Sequence, residues 1–366
     1  MENEFSLDML VKEPTDVRLL KELNTLRPID KPIILFGAGS WGIYYLNTIK
    51  KYFSKILFCD NNPEKWGTTL EGFPVISFDE LKNIYSNSFI TITSLDFYDQ
   101  ILEQLEENHL QERILISLEG FIDPDFNDYF NTVKNNEHQF KKAYDILSDD
   151  KSKQIFCDRI NCCITADKKY LIPLRSTSPQ YFESEIISLT DEEIFIDGGA
   201  YIGDTVEIFL KQTNEIFKKI YSFEPEKTKH EEFLRKFSGY HNIELYPHGL
   251  WSERGVLRFN AVDDGSSGVN KDGDTDITVV SIDDVLNGKP VTYIKMDIEG
   301  AELEALKGAQ NTIKRHKPKL AICIYHKPLD LVEIPLFIKQ LVPEYKIYIR
   351  HYNINIFETV CYAVVE

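Results

Sequence analysis

Two hydrophobic rhythms alternate along the chain. Short continuous apolar runs, as expected of strands buried on both faces, are separated by stretches with apolar residues at helical spacing. Ile33-Ile34-Leu35-Phe36 is the first run, and it leads straight into Gly37-Ala38-Gly39-Ser40-Trp41-Gly42. A helix is predicted from there, because Trp41, Tyr44, Tyr45, Thr48 and Ile49 recur on one side. Ile56 to Cys59 is the second run and ends at Asp60. Phe89 to Thr93 and Arg113 to Ser117 follow, with a polar helical pattern from Phe97 to Glu107 between them. Upstream, residues 1–28 read as a leader helix with Leu19, Leu20, Leu23 and Leu26 on one face. Strand, helix and strand in alternation predict a parallel sheet covered on both sides, here over residues 29–120.

Residues 121–190 differ. They carry no glycine, and a charged helical pattern from Phe126 to Ile155 puts Phe140, Tyr144 and Leu147 on one face. A helical linker or cap is predicted, ending near Pro173 and the Ser176-Thr177-Ser178-Pro179 turn. Alternation resumes over 191–366. Ile194 to Asp197, Lys219 to Phe223, Ile243 to Tyr246, Val291 to Met296 and Leu320 to Tyr325 read as strands. Gly255 to Phe259 and Ile277 to Ile282 look like inserted strands; Tyr345 to Tyr352 and Thr359 to Val365 look like a closing hairpin. The fold class is therefore α/β, with two Rossmann-like domains. The second should hold a mostly parallel seven-stranded sheet that ends in an antiparallel hairpin.

Composition narrows the functional classes. With 43% hydrophobic residues and 23 Phe, the 366-residue chain has ample material for two cores. It carries 41 basic against 59 acidic residues, a formal charge of −18, so nucleic acid is not expected as a partner. The opening Met1-Glu2-Asn3-Glu4-Phe5 lacks the basic and apolar regions of a signal peptide, and no run is long enough to span a membrane. None of the six cysteines forms a Cys-x-x-Cys pair. A reduced cytoplasmic protein with buried thiols is expected.

The sharpest chemistry lies at Asp197-Gly198-Gly199-Ala200-Tyr201-Ile202-Gly203-Asp204-Thr205, between a buried strand and a helix. Glycines there allow a tight turn and a close backbone approach to a ligand. The next strand ends at Glu224, where a carboxylate can accept both hydroxyls of a ribose. The loop lacks the pyrophosphate-binding glycine spacing, and its acidic start suits a cation. S-adenosylmethionine, with a ribose, an ammonium and a sulfonium but no phosphate, fits it better than NAD.

These segments, together with Gln180-Tyr181-Phe182, Ser222-Phe223-Glu224-Pro225, Ser281-Ile282-Asp283, Lys295-Met296-Asp297-Ile298-Glu299-Gly300-Ala301-Glu302 and Ala321 to Pro328, resemble the FkbM family of S-adenosylmethionine-dependent methyltransferases. The resemblance spans about residues 178–366. It implies a methyltransferase fold and O-methylation, often of sugars or glycosylated products, as in polysaccharide biosynthesis. By resemblance Asp197, Gly199 and Gly203 line the methionine part of the cofactor and Glu224 holds its ribose, with Tyr181, Tyr201, Asp204 and Thr205 around them. The implied partner is a sugar or glycan acceptor, and a homo-oligomer is compatible with it.

Methyl transfer to a weakly nucleophilic hydroxyl is helped by a general base. Asp297, Glu299 and His326 stand at strand ends where such groups belong. His326 titrates near neutrality and is the first choice for the base; its other reading is a loop-holding hydrogen bond. Asp297 and Glu299 are read as substrate-binding or helix-capping groups, with a divalent cation as the alternative. Gly265-Ser266-Ser267-Gly268 reads as a flexible hairpin turn, while the family resemblance implies that this insertion lines the substrate or cofactor mouth.

In the front domain, Gly37, Gly39 and Gly42 complete a Gly-x-Gly-x-x-Gly fingerprint and Asp60 ends the second strand, as in dinucleotide sites. Asp60 to Gly67 with Gly72 to Ile76 resembles the nucleotide-sugar-binding domain that precedes sugar O-acyltransferases. A nucleotide sugar, NAD, or no ligand at all remain open there. The competing classes for the whole chain are a non-catalytic binding protein with a degenerate cofactor fold and an NAD-dependent sugar-modifying enzyme. The latter lacks a Tyr-x-x-x-Lys signature near the front domain.

Overall fold

The computed structural model describes residues 4–12, 31–50, 53–94, 97–115, 128–165, 167–260, 268–269 and 275–365. Most of the predicted leader helix, the end of the Arg113 to Ser117 run and Gly265 to Ser267 lie outside them. The chain divides into two compact units: Leu10–Phe130 with Arg159–Pro173, and Met1–Met9 with Asn131–Asp158 and Leu174–Glu366.

The front unit is built on β1 (Ile33–Phe36), β2 (Ile56–Cys59), β3 (Thr69–Leu70), β4 (Phe73–Ile76) and β5 (Phe89–Ile92), in the sheet order β3-β4-β2-β1-β5. β1 pairs in parallel with β2 and β5, and β2 with β4. All four residues of β1 are buried, which explains its unbroken apolar run. β3 and β4 form a hairpin whose two turn residues, Glu71 and Gly72, both have left-handed φ, the geometry that matches strand twist. Ser77 opens the helix Phe78–Asn83 through a reciprocal capping box with Glu80. Arg113 to Ser117 supplies only a parallel bridge, Ile114 to Ile90, within the described residues.

The C-terminal unit contains β6 (Ile194–Gly198), β7 (Lys219–Phe223), β8 (Ile243–Tyr246), β9 (Gly249–Leu250), β10 (Gly255–Asn260), β11 (Gly268–Val269), β12 (Thr275–Val280), β13 (Tyr293–Met296), β14 (Lys319–Cys323), β15 (Lys346–His351) and β16 (Thr359–Val364). Seven of them form the expected sheet, in the order β15-β16-β14-β13-β6-β7-β8. β6, β7, β8, β13 and β14 run parallel, whereas β16 is antiparallel to β14 and β15. The insertion makes a separate sheet, β11-β10-β12-β9. Against the main sheet Phe195 stacks on Phe209 at 4.6 Å, beside Tyr293 and Phe182.

The helical segment between the two strand-rich regions is divided, 131–158 belonging to the C-terminal unit and 159–173 to the front one. Its first part is tied to β15. Ser152 Oγ accepts from Ile349 N, and Arg350 Nη2 meets Asp149 Oδ2 at 2.6 Å. Phe5 packs among Phe140, Tyr144 and Phe156.

Candidate active site

β6 and β13 lie side by side, yet the chain reaches the far edge of the sheet at β8 before returning to β13. Such a reversal leaves a crevice at the carboxyl ends of the strands. A cavity of about 510 Å³ opens there. The main sheet and its loops give it Tyr181, Gly199, Tyr201, Glu224, Asp297 and Glu299, and the inserted sheet gives Gly249, Leu250, Ile277 and Val279.

The glycine loop is held from below. Strand register sets Lys295 of β13 opposite Asp197 of β6, and their charges meet at 3.0 Å in a fully buried pair. Burial pushes the Asp197 carboxyl up to about 6, against the pull of Lys295. Burial also opposes the Lys295 ammonium, but Asp197 and Asp297 outweigh it and hold that group above its usual value. Lys295 Nζ donates as well to the carbonyls of Gly198 and Gly199, at 3.1 and 2.9 Å. At Gly199, φ is +76° and an added Cβ would stand 1.8 Å from the Asp297 carbonyl oxygen, so only glycine fits.

Glu224 closes one side. Its Oε2 accepts from Tyr201 N at 2.9 Å and its Oε1 from Glu226 N at 2.8 Å. Burial raises this carboxyl to about 7, and those two backbone donors only partly oppose the shift. Lys229 lies over the exposed Tyr201 ring, 4.7 Å from its centre.

On the other side, Asp297 Oδ2 accepts from the Tyr181 hydroxyl at 2.7 Å and Oδ1 from Tyr325 at 3.0 Å. Burial pushes this carboxyl up, but His326, Lys295 and the two tyrosines prevail and hold it below its usual range. Glu299 has left-handed φ and its side chain is 34% exposed; burial raises its carboxyl.

Sequence expectation and structure part company at three residues. Asp197 is buried beneath the loop and does not line the cavity; Lys295 stands between. Gly203 also lies off the cavity. It opens the helix Asp204–Gln212 in a left-handed conformation, where a Cβ would strike the Phe237 ring at 2.2 Å. His326, the expected base, is not on the cavity wall and is enclosed by acids. Its Nδ1 stands 3.0 Å from Glu302 Oε1, and its Nε2 is 3.3 Å from Glu299 and 3.4 Å from Asp297. Burial favours a neutral ring, but Glu302, Glu299 and Asp297 override it and raise His326 well above its ordinary value. Tyr181, Tyr201, Asp204, Thr205, Glu224, Asp297 and Glu299 all line the cavity.

Sequence reasoning passes over Lys295, Glu302 and Glu358 as site residues. Lys295 carries a signal: a lone charge inside the apolar strand Tyr293–Met296. Glu358, on the cavity wall, is raised to about 7 by burial and by Asp297, and Gln180 donates to it. Nothing local in the sequence marks it.

The front unit has a cavity of about 540 Å³ at the ends of β1, β2 and β5, lined by Gly37, Gly39, Ser40, Asp60 and Lys65 among others. Asp60 Oδ2 accepts from Ala38 N at 2.8 Å and from Lys65 Nζ at 2.9 Å, while Oδ1 accepts from Asn62 N. Burial raises this carboxyl, but those three donors overcome it and leave it below its usual value. Gly42 permits close packing of the loop, since a Cβ there would lie 2.2 Å from the Gly37 carbonyl oxygen. A Cβ at Gly39 would meet nothing within 4 Å.

Residues 197–346 match the family model described as the methyltransferase FkbM domain, and residues 29–116 match one described as C2185-like, N-terminal. Among solved structures, the chain is similar to an FkbM methyltransferase from Methylobacillus flagellatus KT. That match is 24% identical, covers 97% of this chain and 95% of the other, and has a TM-score of 0.68. It is also similar, at a TM-score of 0.33 and 18% identity, to an rRNA methylase from Streptococcus thermophilus, over 49% of this chain and 90% of that one. A UDP-D-quinovosamine 4-dehydrogenase from Vibrio fischeri matches at 21% identity and a TM-score of 0.19, over 22% of this chain and 72% of that one. Those two scores are too low to inform the site. No significant match is found among curated proteins. Among the described residues, no helix is long and apolar enough to cross a membrane.

Proposed function

From a C-terminal half that carries a methyltransferase FkbM domain, we propose that the chain moves the methyl group of S-adenosylmethionine to a hydroxyl of a sugar, in a glycan, a glycolipid or a nucleotide-linked sugar. The observation that carries this reading is Glu224. It is a buried carboxylate on the cavity wall that accepts from two backbone N–H groups, and among the described residues no lysine bonds to it. Its remaining lone pairs suit the two hydroxyls of a ribose, and its uncompensated charge suits a cationic ligand. When bound, S-adenosylmethionine supplies an electrophilic methyl group on sulfur.

The opposite wall suits a neutral polyol. Carboxylates of Asp297, Glu299 and Glu358 can accept from acceptor hydroxyls, and Tyr325 offers aromatic surface. Glu299, the most exposed acid of its cluster, is assigned the base. Transfer would need the acceptor oxygen to bond to that methyl carbon as the carbon–sulfur bond breaks, its electron pair staying on sulfur. The hydroxyl proton passes to Glu299 and then to solvent.

The front cavity is read as the seat of a nucleotide-type ligand, either a nucleotide sugar or NAD. Lys65 and the start of the helix Ser40–Ile49, which has no side-chain cap, meet at its wall and favour phosphate.

Calorimetry tests the first reading. Glu224→Ala should weaken S-adenosylmethionine binding by about ten- to a hundredfold. Unchanged affinity in the folded variant would sink it. Mass spectrometry of cellular glycans with and without the protein should then reveal the lost methyl group.

A further inference from the structure

Four ionisable side chains from three places in the chain meet at one end of the cavity. Asp297 and Glu299 follow β13, Glu302 opens the helix Glu302–Lys307, and His326 lies just beyond β14. Glu302 is fully buried, and the His326 side chain is only 9% exposed. Three carboxylates stand 3.0 to 3.4 Å from the imidazole. Yet neither ring nitrogen is aligned for a hydrogen bond, and Glu302 Oε2 has no hydrogen-bond partner. Ligand atoms of Asp297, Glu302 and His326 all lie within 4.8 Å of one another.

The local charge balance favours a cation. Two further acids stand by: burial and the nearby carboxylates raise both Asp330 and Glu358 to about 7. Of the nearby lysines, Lys295 is paired with Asp197, and Lys327 donates to the Gly300 carbonyl. Burying so many carboxylates around a single imidazole is costly unless further positive charge joins them.

We propose that Asp297, Glu302 and His326 form a divalent-cation site, with Glu299 on its open side toward the cavity. A mixed imidazole and carboxylate set suits Mn²⁺ or Zn²⁺ better than Ca²⁺. The cation's role rests on the methyl-transfer reading above: it would hold the acceptor oxygen and ease loss of its proton to Glu299. Binding of the cation does not depend on that reading. This gives Glu302 and His326 a purpose and takes up the alternative open to Asp297 and Glu299 from the sequence.

The test begins with protein stripped by a chelator and dialysed. Mn²⁺ is titrated in and free Mn²⁺ followed by electron paramagnetic resonance, with Zn²⁺ titrated by calorimetry in parallel. A single bound Mn²⁺ or Zn²⁺ is expected, with affinity lowered about 10–100-fold or more in His326→Ala and Glu302→Gln. If the stripped wild type takes up neither ion at millimolar concentration, or if the folded variants bind as well as the wild type, the proposal is overturned. Should neither variant fold, the wild-type titration still decides. S-adenosylmethionine affinity is measured on the same stripped protein. Cofactor binding without cation binding defeats the cation site alone, whereas cation binding without cofactor binding defeats the methyl-transfer reading.

Discussion

The two units use one device for opposite charge states. In each, an acid at the end of the second strand ties down the glycine loop after the first strand: Asp60 through Ala38 N, Glu224 through Tyr201 N. In the front unit Lys65 also joins the acid, on a side chain that is 40% exposed, and the carboxyl stays below its usual value. In the C-terminal unit no lysine among the described residues bonds to Glu224, and burial lifts it to about 7. The cation there lies under the loop instead, as Lys295 paired with Asp197. A neutralised acid leaves room for a phosphate; an uncompensated one invites a cation with hydroxyls. The loop sequence alone is thus a poor guide to the ligand, and the partner of the strand-end acid is a better one.

The largest effect should come from bulk placed in each loop. Gly199→Val drives a side chain into the Asp297 carbonyl at a left-handed backbone position. It should abolish cofactor binding and lower the melting temperature. Gly39→Val enters open space, so stability should change by less than about 0.5 kcal/mol. It should nevertheless stop a nucleotide sugar or NAD from raising the melting temperature, while leaving S-adenosylmethionine binding intact. If no nucleotide shifts the wild type, the front loop is a scaffold and the comparison loses one arm.

Next come the two lysines. Lys295→Met strands Asp197 in the interior and should cost about 3–5 kcal/mol in a denaturant melt. Lys65→Met breaks a pair at the cavity wall whose lysine is 40% exposed, for which about 0–1 kcal/mol is expected. Equal costs would show that burial does not separate the two loops.

A smaller effect distinguishes the acids by pH. Glu224 has a folded value near 7, above its ordinary 4.5, so the unliganded protein prefers it protonated. The stability this contributes is full below about 4.5 and is lost as pH rises through 7. Ribose hydroxyls need the ionised form, so cofactor affinity should move the other way. It should rise by up to about tenfold per pH unit below 7 and level off above it. Glu224→Gln should flatten that profile in calorimetry between about pH 6 and 8. A wild-type profile without slope would place the titrating proton elsewhere.

Most strands can be read in the sequence because parallel strands buried on both faces need apolar runs, unbroken at Ile33–Phe36 and Leu320 to Cys323. Boundaries slip where an apolar run crosses from one element into the next. Ile277 to Ile282 reads as one strand, but Ser281 caps a new helix by accepting from Asp284 N at 3.1 Å, so β12 stops at Val280. The β3–β4 hairpin is too short to leave a periodic trace. Glycine loops and strand-end acids can be read because they follow directly from strand ends. The pairing of His326 with Glu302 cannot, since it depends on β13 and β14 becoming neighbours. That pairing sets an acid against the ring of the expected base.

The position of β16 sets a timetable for synthesis. This strand comes late in the chain but lies inside the sheet, between β14 and β15. Until Val364 has left the ribosome, β14 presents an open edge with the apolar run Leu320 to Cys323. Glu358 reaches the cavity wall at the same late stage. The front strands, all translated before residue 93, can pair long before that. A ribosome stalled before β16 emerges should therefore carry a finished front sheet and a sticky, unfinished second one, the form most in need of a chaperone.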